Sequence, residues 1–193
     1  MVTPAPHDHR DATAPAIPRS RPHRPDDQAL WGVAAQVVDP EMPMLTLADL
    51  GVLRSVRGER RDGGSGSRIV ATITPTYAGC PALDAMRADL AERLAEFGEV
   101  EVRVSLTPPW TTDFISAEGR RKLAAAGVAP PDHIGPRAVG PVPLTLTAPA
   151  RTVACPQCGS PDTDELSRFG PTACTALRRC RSCAEPFEHV KEI

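Results

Sequence analysis

Residues 68–107 read "RIVATITPTYAGCPALDAMRADLAERLAEFGEVEVRVSLT", and this stretch decides how the chain folds. It opens as a β-branched run, passes through Pro75 and the Gly79-Cys80-Pro81 step, and then changes to a helical period. Leu83, Met86, Leu90, Leu94 and Phe97 fall on one helical stripe, with Pro81 suited to the first helical position and Gly98 to the stop. "EVEVRVSLT", residues 99–107, alternates apolar and polar and predicts a second strand. Upstream, "VLRSVRGE" at 52–59 predicts another strand, which returns through the loop "DGGSGS" as the antiparallel partner of residues 68–77.

A helix is predicted from Asp26 or Asp27, whose carboxylates can cap free amides, carrying Leu30, Trp31, Ala34, Val37 and Val38. Asp39-Pro40 stops it, because a residue before proline is pushed out of the helical region. Pro40 and Pro43 force an extended loop, which closes in a short turn through Ala48-Asp49-Leu50 at Gly51. After the loop "PPWTTDFI", Ser116-Ala117-Glu118 opens a last helix that ends near Gly127. Residues 26–127 therefore read as an α+β domain in the order αββαβα, a small three-stranded sheet packed with helices.

The flanks differ in kind. Residues 1–25 hold six prolines and four arginines with almost no large apolar side chain, so they predict a disordered tail in which His7, His9 and His23 are simply solvated. Residues 128–150 are rich in proline and read as a semi-rigid linker, which predicts that chelation unfolds 151–193 while sparing the core. A length of 193 residues suits one core and one satellite. A net charge of −2 and seven aromatics argue against nucleic-acid binding. No apolar run approaches the ~20 residues of a membrane span, and the N-terminus lacks the apolar region of a secretory signal, so a cytoplasmic chain is expected. In a reducing compartment the six cysteines read as thiols or metal ligands rather than a disulfide framework.

Four of them declare themselves by spacing. Cys155-x2-Cys158 and Cys180-x2-Cys183 are separated by 21 residues, and two such knuckles place four thiolates around one tetrahedral ion. "TDELSRFG", "TALRRC" and "EPFEHV" read as short strands, so residues 151–193 predict a zinc ribbon whose fold depends on its metal. Zinc is the expected ion; iron in the same four sulfurs stays open, since spacing does not choose between them. Cys174 reads as a small packing side chain and His189 as an exposed strand residue, because four cysteines already close a tetrahedron.

Cys80 needs its own account. Directly before Pro81 it is placed at a helix N-cap, where free amides and the helix dipole favour a thiolate. Covalent catalysis would want a histidine base, yet none lies between His23 and His133. Redox exchange would want a resolving cysteine nearby. Metal binding needs only further ligands, which Asp39 and Glu41 supply from the "DPE" loop; the alternative is that Cys80 merely fills a small capping site. Thr76 and Tyr77 read as packing and capping groups.

"DPEMPMLTLADLGVLR" followed by "TPTYAGCPA" resembles the small domain of SufT-type and cytosolic iron–sulfur cluster maturation and carrier proteins. Together with "PPWTTDFISAEGRRKL", "GVAPP" and the terminal "CPQCGS…FGPTACTALRRCRSCAEPFEHVKEI", it resembles the D component of the phenylacetyl-CoA epoxidase (phenylacetate ring-1,2-oxygenase) family over about residues 30–193. The resemblance implies a role in aerobic phenylacetate degradation, where a di-iron oxygenase epoxidises the ring and a flavin and iron–sulfur reductase supplies electrons. No paired ExxH carboxylate set and no Gly-rich dinucleotide loop occurs here, so the chain is not expected to oxidise phenylacetyl-CoA alone. By the maturation-family resemblance, Cys80 with Asp39 and Glu41 implies a transient iron or iron–sulfur cluster site, shaped by Gly79 and Pro81. The partners implied are the oxygenase and reductase subunits and general iron–sulfur assembly proteins, with a cluster-sharing homodimer left open. Two other readings stay open: a structural or regulatory subunit of the oxygenase, and a thiol enzyme using Cys80.

Overall fold

The structure, a computed structural model, describes residues 26–60, 67–135 and 152–192. The expected tail, the glycine loop at 61–66 and most of the expected linker lie outside the described residues. Helix α1 (Asp27–Ala34) buries Leu30 and Ala34 and leaves Trp31 on the surface. It stops before the proline rule requires, at a turn through Ala35 and Gln36; Val37 still enters the core, but Val38 turns outward to bridge Thr46.

Strands β1 (Leu53–Arg60) and β2 (Ser67–Ile73) pair antiparallel, with Val56 opposite Ala71 and Gly58 opposite Ile69. Strand β3 (Glu99–Val104) runs parallel to β2 on its other side, so β2 is central. The parallel pairing follows from helix α2 (Leu83–Leu94), since parallel neighbours need a crossover of this length and a hairpin cannot supply it. Met86, Leu90 and Leu94 are buried, and Leu83 and Phe97 flank them. Helix α1 packs on β1 and α2, and α2 packs on β3, so both helices cover one face of the sheet. Val56, Ile69, Ala71 and Ile73 meet them there. By the two-residue alternation of strands the other face carries Glu59, Arg68, Glu101 and Arg103, cross-linked by Arg68–Glu101 and Arg103–Glu101 contacts of 2.7 Å.

Helix α3 (Ala117–Ala125) begins as its sequence suggests, with the Ser116 hydroxyl accepting the Gly119 N–H at 2.9 Å. Gly119 rests so close to the backbone of Asp49 that an added Cβ would come within 2.8 Å of the Asp49 carbonyl oxygen. Lys122 Nζ reaches the Asp49 carboxylate at 2.7 Å, so α3 is fastened to the 45–51 loop. Gly127, at φ +79°, ends the helix and turns the chain.

The turn leads into a strand that sequence patterning does not reveal. Strand β4 (Val128–Ala129), in the segment expected to be linker, pairs parallel with β7 (Pro186–Val190). With β5 (Thr163–Ser167) and β6 (Thr175–Cys180) it forms a second sheet in the order β4-β7-β6-β5. The two units interlock through side chains: Val128 and the ribbon residue Val190 belong to the main core, whereas Ala129 belongs to the small ribbon core with Val153 and Phe187. Among the described residues no helix is long and apolar enough to cross a membrane.

Candidate metal centre and thiol pocket

The knuckle cysteines converge as their spacing requires. Cys155 and Cys180 are buried while Cys158 and Cys183 face outward, and all four sulfurs lie within 4.8 Å of one another. Cys155 and Cys183 stand 3.8 Å apart and Cys158 and Cys180 3.6 Å apart. An ion bound tetrahedrally at about 2.3 Å sets its sulfurs about 3.8 Å apart, whereas a disulfide needs about 2.05 Å. The arrangement fits one ion. The backbone N–H groups of Cys183 and Ser182, with the neighbouring thiols, hold the Cys180 thiol down to about 6, whereas Cys158 and Cys183, against backbone N–H bonds, are pushed up by desolvation and the neighbouring thiols. Among the described residues the small ribbon core gathers Ala129, Val153 and Phe187 around the two buried cysteines, little apolar mass for such a unit to fold on without metal.

Two further thiols line one cavity where the ribbon rests on the core. Cys80 comes from the turn after β2, Asp39 and Glu41 from the loop after α1, and Cys174 and Lys191 from the ends of the β6–β7 hairpin. The hairpin end is closed by the Lys191 N–H donating to the Cys174 carbonyl at 2.9 Å. Met42, Leu50, Trp110 and Val190 supply apolar walls, and Trp110 is held by its indole N–H donating to the Leu50 carbonyl at 2.9 Å. These groups enclose about 20 Å³ accessible to the centre of a water-sized sphere, room for about one water.

The electrostatics are those of crowded acids. Asp39 Oδ1 accepts N–H bonds from Glu41 at 2.8 Å and Met42 at 2.9 Å, which shapes the loop, yet burial outweighs both and pushes its carboxyl up. Burial also pushes up the Cys80 thiol; the Ala82 N–H opposes this, and charge on Glu41, Asp39 and Cys174 adds to it. Cys174 is pushed up in the same way by burial, against its bond to Thr172 at 3.2 Å, with charge on Glu41 and Asp39 adding. The Tyr77 phenol is raised by desolvation and then by charge on Cys80, Glu41 and Cys174, so it stands beside the same cluster.

Several expectations change. Cys80 is not the N-cap of α2: Ala82 holds that position in a helix that starts at Leu83, and Cys80 lies two residues before it, accepting the Leu83 N–H at its carbonyl. Its thiol is raised rather than lowered, because burial and crowded carboxylates outweigh the nearby N–H. Asp39 in the "DPE" loop is buried, its carboxylate turned back onto the Glu41 and Met42 amides. His189 is likewise buried, 3.5 Å from Glu192, and burial lowers its imidazole pKa. Cys174 is half-buried and packs against the main core as a small side chain, and it also lines the Cys80 pocket. Cysteine arithmetic hints at this, since six minus the four knuckle thiols leaves two.

Residues 27–106 match the family model described as iron–sulfur cluster assembly protein, and residues 140–191 match that of the PaaD zinc beta ribbon domain. Over 177 residues the chain is 37% identical to an Escherichia coli K12 protein named as the D subunit of 1,2-phenylacetyl-CoA epoxidase, spanning 88% of this chain and 94% of that protein. The chain belongs to the family of phenylacetyl-CoA epoxidase D subunits. The crystal structure of a domain of unknown function, DUF59, from Bacillus anthracis covers 50% of this chain and 90% of its own, with 26% identity and a TM-score of 0.41. In this member of the epoxidase family, the thiol pocket draws residues from both matched regions, Cys80 with the Asp39 loop from one and Cys174 with Lys191 from the other.

Proposed function

We propose that the chain is an accessory subunit of the phenylacetyl-CoA epoxidase system that helps load iron, as an ion or within an iron–sulfur cluster, into the oxygenase or reductase components. Cys80 is the transient ligand, assisted by Asp39 and Glu41, and the ribbon cysteines hold a structural zinc ion. The observation that supports the reading is that one half-buried thiol and two carboxylates from a distant loop line the same small cavity. Iron here is cargo: a divalent cation ionises a thiol that burial otherwise keeps protonated, so uptake releases a proton and strengthens as pH rises.

The thiol-enzyme reading loses support. A nucleophilic cysteine wants a lowered pKa and an adjacent base, but Cys80 is raised and no histidine lines its pocket among the described residues.

The test is Cys80→Ser in cells growing on phenylacetate. Serine is nearly isosteric, so the chain should keep its fold while growth on phenylacetate is lost and the partner oxygenase or reductase accumulates short of iron. Wild-type growth with full iron content in the partners would overturn the proposal.

A further inference from the structure

Two thiols are left once the ribbon has taken four, and they come from opposite halves of the chain to one cavity. Cys174 sits immediately before β6, held by the Lys191 N–H on its carbonyl and by the Thr172 hydroxyl 3.2 Å from its sulfur. The β7 strand that follows sends Val190 into the main core, which sets this corner of the ribbon over Cys80. Asp39 and Glu41 line the same cavity as both thiols. Two thiols and two carboxylates thus line one cavity holding about one water, a donor set that a single divalent cation would complete. Sulfur donors beside carboxylates suit a borderline or soft divalent ion better than calcium or magnesium, which take oxygen alone.

We infer that Cys174 is the second thiolate of the Cys80 site, so that the two cysteines clamp one divalent transition-metal ion between the ribbon and the core. The inference rests on the proposed function and narrows its cargo: the closed pocket has room for a single ion and none for a preformed cluster. Each thiol gives up its proton to solvent as the metal–sulfur bond forms, and no electron is transferred. The ribbon is then the lid of the transfer site as well as its neighbour, and release requires the Cys174 corner to lift.

The test uses the full chain carrying one zinc ion, titrated with cobalt(II) without oxygen; zinc keeps the ribbon because cobalt binds such sites more weakly. A second equivalent should bind with thiolate-to-cobalt charge-transfer absorption, and Cys80→Ser and Cys174→Ser should each weaken it by about tenfold or more. Alkylation mapped by mass spectrometry on the unmutated chain gives a second readout that needs no variant: cobalt should protect Cys80 and Cys174 together. If cobalt binds and only Cys80 matters, in affinity and in protection, Cys174 is no ligand and the inference fails while the proposed site stands. If no second equivalent binds, or neither cysteine matters, both fail.

Discussion

Removing the ribbon metal is expected to weaken the core, contrary to what a proline-rich linker between independent units would suggest. The reason is Val190: it is only 3% exposed and packs in the main core although it belongs to β7. When chelation unfolds the ribbon, Val190 leaves and the walls it shares with Leu50 and Trp110 meet water. Burying one valine contributes about 1.5–3 kcal/mol, and the β4–β7 pairing is lost with it. Taking about 2 kcal/mol, and about 4–8 °C per kcal/mol for a domain of this size, the core should melt about 8–16 °C lower. All three α-helices lie in the core among the described residues, so far-UV circular dichroism in the helical band follows core melting alone. Val190→Ala with the metal left in place should give a smaller shift in the same direction, about 1–2 kcal/mol. An unchanged core melting temperature after complete metal removal would show that the interlock carries no energy.

Serine at any one of Cys155, Cys158, Cys180 or Cys183 should abolish stoichiometric metal and unfold the ribbon, checked by elemental analysis and by hydrogen exchange across 152–192. Asp39→Asn keeps the oxygen that accepts the Glu41 and Met42 amides but removes a buried charge, so at neutral pH the melting temperature should hold or rise while cobalt binding at the pocket weakens; a large thermal loss would contradict the reasoning. Asp49 is pushed up by burial, but bonds from Lys122 and Thr46 outweigh this and hold it below 3.8. Its contribution is therefore complete above that value and is lost as pH falls through the depressed one, so Asp49→Asn should lose about 1–3 kcal/mol at neutral pH and flatten the acid limb of a pH–stability curve.

What is legible in the sequence is local. The α2 stripe, the strand alternation and the knuckle spacing each depend on neighbours a few residues away, and each appears where periodicity puts it. What stays hidden depends on distant contacts. A two-residue strand such as β4 has no period to detect, and it is a strand only because β7 lies beside it. Val38 fits the α1 stripe as well as Val37 does, but the chain has already turned. His189 faces inward because β7 is covered on both sides, which a polar residue in "EPFEHV" does not announce. Residue type singles out Cys80 and Asp39, but their ionisation is set chiefly by burial, which is not written near them. Cys174 itself is masked by its proximity to the knuckles.

Strand β4 also orders events in time. Synthesis proceeds from the N-terminus, and domains generally fold in that direction, so Gly127, Val128 and Ala129 are positioned by α3 before Cys155 leaves the ribosome. The ribbon thus assembles against residues already in place, and β7 turns them into the outer strand of its sheet when it pairs with them. A nascent chain whose core has gone wrong would offer β7 no such partner, so the ribbon would have to close around its four thiols without that neighbour.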